Sequence, residues 1–403
     1  MPTPANTNLL TPSIIAKEAL MQLLNNLGMA RNVYRAYKNE FKKVGQTITI
    51  RKPNKFRATK ARVRSTTLIN EPETDLTVAT QAHVSWAFSS VELTQTIDQY
   101  SKRYIAPAAA ALANQVDVDL CELYKDVYNW AGTPGTTPNT FKMLGDCQTI
   151  LDNESTPQGR RIAVLNPDAN WTMADALKGT FSPKVATDII TKGYLGTIAN
   201  LDIYMDQNIA NHTTGVFTTG STPVVEETSV TAATTLSVEG MTTTTNTFTD
   251  GDIFTIAATN QVNNMSGVST GHLHNWGVTA LTTSADGAML TLPITPTMSY
   301  AADDPYNNID ALPLAAAALT PVGTESTVYP QNLVFSPEAF CLVCLPIEMP
   351  ANVWGARETD TDAGISIRVV KQYDIDQDDE VIRLDVLYGM KTLYPECAVR
   401  LWG

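Results

Sequence analysis

The chain has 403 residues, 43% of them apolar and 17% charged, with a formal net charge of −13. That is the composition of a globular protein long enough for two or three domains, and it excludes a disordered chain. No run approaches the ~18 apolar residues of a membrane span, the first residues lack the basic and apolar regions of a secretory signal, and the net acidity argues against tight nucleic-acid binding by the whole surface, so the expected location is a cytoplasm.

The first element is a helix from about Pro12. Thr11 can cap it, Pro12 suits the first turn, Leu20, Leu23, Leu24 and Leu27 form one stripe, and Gly28 suits the stop. From Val44 the period changes to two, with Val44, Ile48 and Ile50 on one side and Thr47 and Thr49 on the other, which predicts a strand. A polar, basic hairpin tip follows over Pro53–Ser65. The return strand is predicted over Leu76, Val78, Thr80, Ala82, Val84, Trp86 and Phe88, all of one parity. A two-stranded arm of this length cannot bury both faces, so it must lie on something.

Charge is sorted along this chain. Phe41–Asn70 holds nine basic residues and no acid, whereas Gly193–Ala356 holds fourteen acids and neither lysine nor arginine. Opposite charges steer association over roughly 10 Å at moderate salt, so the basic strip has a partner in another copy of the same molecule, where a symmetric assembly repeats one contact many times. A solvated basic loop that docks on its own domain, or that binds nucleic acid, is the alternative.

Ala108, Leu112, Val116, Leu120, Leu123, Val127 and Trp130 recur at spacings of three or four, predicting a helix from Pro107 to Trp130 of roughly 36 Å that ends at Gly132-Thr-Pro-Gly. Cys147–Asp206 mixes signals: Arg161–Asn166 as a strand, and Trp171–Leu177 and Ser182–Ile190 as short helices. Over His212–Tyr300 the composition shifts to threonine, glycine and short alternating runs, with Asp250-Gly251 and Asp286-Gly287 as turns; this predicts an all-β module inserted into an α+β domain. The α+β pattern resumes near Leu333, and a last hairpin runs from Ile365 through an acidic turn, Asp374–Glu380, to Gly389.

The chemical motifs are incomplete. Cys341 and Cys344 have the two-residue spacing of a zinc half-site but no second pair, and apolar flanks point to packed, reduced thiols, as does the odd total of five cysteines. His272 and His274 share one strand face but lack a third ligand, so exposed histidines are expected. Asp374, Asp376 and Asp378 alternate as in a calcium loop, with Asp385 at the twelfth position, but Asp379 stands where the loop requires glycine, and a solvated turn is expected. Phosphate-binding loops, nucleophile elbows and zinc-protease motifs are missing, so no catalytic residue, metal or cofactor is assigned.

The order of arm helix, basic hairpin, extended helix, α+β domain and returning hairpin resembles the major capsid protein of tailed bacteriophages, the Hong Kong 97 fold. The segments Ile105-Ala-Pro-Ala-Ala-Ala-Ala-Leu-Ala-Asn-Gln-Val-Asp117, Phe248-Thr-Asp-Gly-Asp-Ile-Phe-Thr-Ile256, Tyr329-Pro-Gln-Asn-Leu-Val-Phe-Ser-Pro-Glu-Ala-Phe340 and Ile382-Arg-Leu-Asp-Val-Leu-Tyr-Gly389 are similar to the Salmonella phage P-22 branch, which carries an inserted β domain. The resemblance implies an N-terminal arm (1–40), an extended loop (41–92), a peripheral domain with its spine helix (93–135), an axial domain in two parts (136–211 and 329–403, the latter with the return hairpin) and an inserted β domain with its return linker (212–328). It also implies a homo-oligomer of hexamers and pentamers that encloses double-stranded DNA, works with a portal protein and a separate scaffolding protein, and is assembled in the host cytoplasm into the virion, with no membrane partner. Some relatives cross-link lysine to asparagine, but neither Lys52, Lys55 nor Lys60 is assigned that role. The residues assigned to contacts between subunits are Lys52, Lys55, Arg57, Lys60, Arg62 and Arg64 on the loop, with Asp374, Asp376, Asp378, Asp379 and Glu380 as candidate acidic partners. A cellular compartment shell of the same fold and a threonine-rich tail fibre or adhesin are the alternatives.

Overall fold

The computed structural model describes residues 12–39, 47–58, 60, 62–64, 69, 71–89, 101–177, 195–217, 222–241, 246–284, 290–301, 304–351, 353–360, 364–375 and 379–402. It divides into two units: Met1–Ile50 with Glu73–Leu120 and Phe340–Lys391, and Arg51–Pro72 with Cys121–Ala339 and Thr392–Gly403. Thr11, Val44, the stretch 182–190 and Asp286-Gly287 lie outside the described residues. Among the described residues no helix is long and apolar enough to cross a membrane.

In the first unit the helix Pro12–Asn26 buries Ile15, Ala16, Ala19, Leu20 and Leu23, a spacing that puts them on one face. That face meets the strands Trp354–Thr359 and Ser366–Asp374, and Ser13 Oγ donates to Glu358 Oε1 at 2.9 Å. The turn beyond the helix is fixed by Asp117, a buried carboxylate on the helix Ala106–Cys121. It accepts the backbone N–H of Gly28 at 2.6 Å and of Ala30 at 2.8 Å, groups that the start of the 3-10 turn Met29–Arg31 leaves unpaired.

Two elements differ from the sequence reading. The expected helix to Trp130 ends at Cys121, preceded by a π-helical turn, Ser101–Ile105, and followed by a 3-10 stretch, Glu122–Asp126; Trp130 lies in a strand, Trp130–Gly132. Apolar residues three apart fit a 3-10 turn as well as an α-helix, so the periodicity continues past the real end.

The return arm also breaks, at Val78. Thr47–Arg51 pairs with Glu73–Thr77, but Thr80–Ser89 pairs instead with Asp379–Tyr388 of the C-terminal hairpin, in a sheet with Ser366–Asp374, Trp354–Thr359 and Phe340–Leu345. A ten-residue strand needs a partner for its backbone groups, and the C-terminal hairpin supplies one. Gly389 marks the place: a Cβ there would stand 2.4 Å from Thr77 O and 2.8 Å from Val78 Cα.

The second unit contains two cores. One lies beneath a mixed sheet in the order Trp130–Gly132, Ala398–Trp402, Asn332–Phe335, Arg161–Leu165, Leu201–Met205 and Thr197–Ile198. Leu144, Cys147 and Leu151 from the helix Phe141–Asn153, and Met173 and Leu177 from the helix Pro167–Leu177, cover it. Arg161–Leu165 is buried throughout, and Arg161 is accommodated by donating to Asp152 Oδ1 at 2.7 Å, to Thr156 O and to Gln148 Oε1.

The other core belongs to the threonine-rich segment. Six strands lie in the order Leu319–Pro321, Ile253–Val262, Ser269–Val278, Leu290–Thr295, Thr235–Glu239 and Val224–Val225. Leu319 N–H donates to Pro223 O and Val225 N–H to Ala317 O, each at 2.9 Å, which joins the two outer strands of this order into a small barrel. Inside, Phe217, Phe248, Phe254 and Trp276 form a chain of ring contacts with centroids 5.4–6.3 Å apart. Asn211–Thr213 pairs with Val328–Pro330, so the strands leading in and out run side by side.

Candidate assembly surfaces

The basic residues of the loop fall into two groups. Lys52, Lys55 and Arg57 dock on their own unit. Lys52 Nζ lies 5.1 Å from the ring centre of Tyr394, and Lys52 N–H donates to Pro72 O at 2.8 Å. Lys55 N–H donates to the Tyr306 hydroxyl at 3.2 Å, that hydroxyl donates to Asn54 Oδ1 at 2.8 Å, and Lys55 Nζ lies 3.7 Å from Glu396 Oε1. Arg57 Nη2 donates to Asn264 O at 3.3 Å. Each exposed pair is worth about 0.2–1 kcal/mol, but together they fix the base of the tip. Lys60, Arg62 and Arg64, beyond that clamp, are exposed and make no hydrogen bond or ion pair with a described residue.

The acidic candidates sit on the C-terminal hairpin. Asp374 is opposite Asp379 and Tyr373 opposite Glu380; Glu380 pairs with Lys371, whose Nζ lies 5.2 Å from the Trp354 ring centre. Asp376 and Asp378 lie outside the described residues. Asp385 is fully buried and is no ligand for calcium: Arg368 donates Nε and Nη2 to its Oδ2 at 3.1 and 2.7 Å, while Arg383 Nε and Gln81 Nε2 donate to Oδ1 at 2.7 and 3.0 Å. Burial alone would raise this carboxyl, but the hydrogen bonds from Arg368, Arg383 and Gln81 outweigh it and hold it below the usual range.

The other motifs resolve as packing. All five cysteines are free and buried, and burial pushes the thiols of Cys341 and Cys344 up to about 12. The histidine pair is divided, a correction to the expectation of two exposed rings. His272 is exposed, but His274 is buried edge-on against Trp276 with centroids 4.6 Å apart, and burial pushes it down to about 3. Among the described residues no group of His, Cys, Asp or Glu is placed to hold a metal.

Two polar clusters had no signal in the sequence. At the neck of the barrel, His212 Nε2 donates to Asp252 Oδ1 at 2.8 Å and the Tyr124 hydroxyl lies 3.1 Å from its Nδ1. Asp252 Oδ2 also accepts Thr249 N–H at 2.7 Å, and the buried Arg400 donates Nη1 to Gly251 O at 2.7 Å. Burial pushes Arg400 down to about 10 and Tyr124 up to about 12, so neither changes charge near neutrality. The second cluster surrounds Glu154, at the end of Phe141–Asn153, close to the docked loop base.

A family model described as P22 coat protein, gene protein 5, matches residues 5–403. No curated protein matches the chain. Among solved structures, one from Mycobacterium phage Che8 is similar at 14% identity and a TM-score of 0.46, covering 92% of this chain and 89% of that one. The capsid of Ralstonia phage GP4 is similar at 7% identity and a TM-score of 0.44, covering 93% and 88%. A CUS-3 coat-protein I-domain is similar at 24% identity and a TM-score of 0.20, covering 26% of this chain and 97% of that one.

Proposed function

Because the chain belongs to the P22 coat-protein family, we propose that its exposed loop tip, Lys60, Arg62 and Arg64, binds the acidic hairpin turn of a neighbouring subunit in the shell. The chain is a structural subunit of a bacteriophage capsid, with the mixed α+β fold of Hong Kong 97 type. The neighbour contributes the turn 374–380, with Asp374, Asp376, Asp378, Asp379 and Glu380; Lys52, Lys55 and Arg57 act within the subunit to aim the tip. The observation that carries this reading is the division of the basic run, with a clamped base and an exposed end. A charge held on a fixed base loses less conformational entropy on docking than one on a free loop.

The subunits form hexamers and pentamers around double-stranded DNA, assembled in the host cytoplasm with a scaffolding protein and a portal protein. The barrel is the inserted domain of 212–328. Its lack of lysine and arginine keeps it from adhering to the enclosed DNA. An Arg62→Cys, Asp374→Cys double variant tests the contact: mild oxidation of assembled particles should give covalent multimers, and the unassembled chain should give none. Assembled particles that yield no cross-link would count against this pairing.

A further inference from the structure

One wall of the barrel forks. Strand Ile253–Val262 pairs with Leu319–Pro321 through Phe254, Thr255 and Ile256, and Ala257 N–H donates to Ala318 O at 2.9 Å. There the ladder stops. The preceding residues turn to Val225, whose N–H donates to Ala317 O and whose O accepts Ala316 N–H, and both Ala258 and Ala316 take left-handed φ values, +61° and +60°. Between the parted segments lies a cavity of about 620 Å³, lined by Ala257, Ala258 and the alanines of 315–318, together with the exposed Tyr300 and Leu314. Alanine side chains fill little of the fork, and a volume of this size falls in the range of ligand sites, about 300–1,000 Å³. Thr259 lines the same cavity, is fully buried, and its hydroxyl has no hydrogen-bond partner among the described residues. A buried hydroxyl without a partner is costly, so a bound group that pairs with it recovers what the free chain forgoes.

The charge on this part of the chain has one sign. Glu226 and Glu227 immediately precede Thr228, which lines the cavity, and Gly193–Ala356 holds fourteen acids and neither lysine nor arginine. A second barrel would bring like charge and be repelled, whereas a cationic segment is attracted. We propose that the groove binds an extended basic peptide segment of another protein, with lysine or arginine facing Glu226 and Glu227 and an intervening apolar side chain lying on the alanines. An extended chain turns successive side chains to opposite faces, so one short segment supplies both contacts, and its backbone carries the donors and acceptors that pair with the Thr259 hydroxyl. The site belongs to the barrel alone and stands whether or not the loop tip meets a neighbour.

Methyl NMR of the unassembled full-length chain, labelled at alanine, tests this with the synthetic peptide acetyl-Lys-Leu-Lys-Val-Lys-amide as probe. The methyls of Ala257, Ala258 and 315–318 should shift saturably, and acetyl-Glu-Leu-Glu-Val-Glu-amide should leave them in place. Glu226→Gln with Glu227→Gln should weaken binding by roughly tenfold, the loss expected for two exposed ion pairs. Ala315→Trp, at an exposed position, should fill the groove and abolish it. Thr259→Val keeps the side-chain shape, so the free chain should be no less stable, yet binding should weaken; a hydroxyl with a purely structural role would leave binding unchanged. Unshifted alanine methyls, equal binding of the acidic peptide, binding that survives Ala315→Trp, or the same shifts appearing with chain concentration alone, the mark of a second copy, would each overturn the proposal.

Discussion

Gly267 leaves open the space that the Arg57 guanidinium fills: a Cβ on Gly267 would stand 2.7 Å from Nη1 and 2.8 Å from Cζ of Arg57. The glycine also has φ +70°, a left-handed conformation that costs other residues about 1 kcal/mol. Gly267→Ala should therefore do two things, strain the turn and displace Arg57. A double-mutant cycle by chemical denaturation separates them. In an Arg57→Ala background the cost of Gly267→Ala should fall to the backbone part alone, and strictly additive costs would rule out the contact.

Asp385 accepts from two guanidiniums and an amide with no exposure to solvent. Asp385→Ala leaves Arg368 largely buried without its counter-charge and should cost about 3–5 kcal/mol in urea unfolding. The pH dependence has a definite sign. A carboxyl held below its ordinary value contributes stability that is present above the unfolded pKa and is lost as pH falls through the folded one. The stabilities of wild type and Asp385→Asn should converge in acid; a gap that stays constant to low pH would contradict this.

Glu154 runs the other way. Its carboxyl is pushed up to about 7 from an ordinary 4.5, so the folded chain binds a proton more tightly than the unfolded one, and stability falls as pH rises through that window. The full effect is on the order of 3 kcal/mol. Glu154→Gln should match wild type near pH 4.5 and exceed it at pH 8, and a variant less stable at pH 8 would refute the sign.

Replacing Lys60, Arg62 and Arg64 together by glutamate should block or slow shell formation while leaving the unfolding transition of the monomer within about 0.5 kcal/mol of wild type, as expected for exposed positions. Raising the salt concentration should weaken wild-type assembly and narrow the difference, since screening acts on both. Normal assembly of the triple glutamate variant across salt concentrations would remove the tip from the account.

Local features were legible where local physics decides them. The stripe of Pro12–Asn26, the buried run Arg161–Leu165, the final hairpin and the threonine-rich β module follow from spacing and composition. What the sequence hid depends on partners distant along the chain. Nothing near Val78 says that the strand after it pairs with Asp379–Tyr388, and nothing in His272-Leu-His274 says that one ring is buried against Trp276. The basic run reads as uniform from Lys52 to Arg64. Tyr306, Asn264, Glu396 and Tyr394, more than two hundred residues away, divide it into a docked base and an exposed tip. Glu154 carries no motif at all; burial and a neighbouring carboxylate make it unusual.

Electron microscopy of the purified chain, alone and with an added phage scaffolding protein, tests the central claim most directly. A capsid subunit whose loop tip reaches a neighbour should give closed icosahedral shells, or hexamer-sized intermediates on the way to them. A chain that stays a folded monomer under every assembly condition, added scaffolding protein included, would contradict the account.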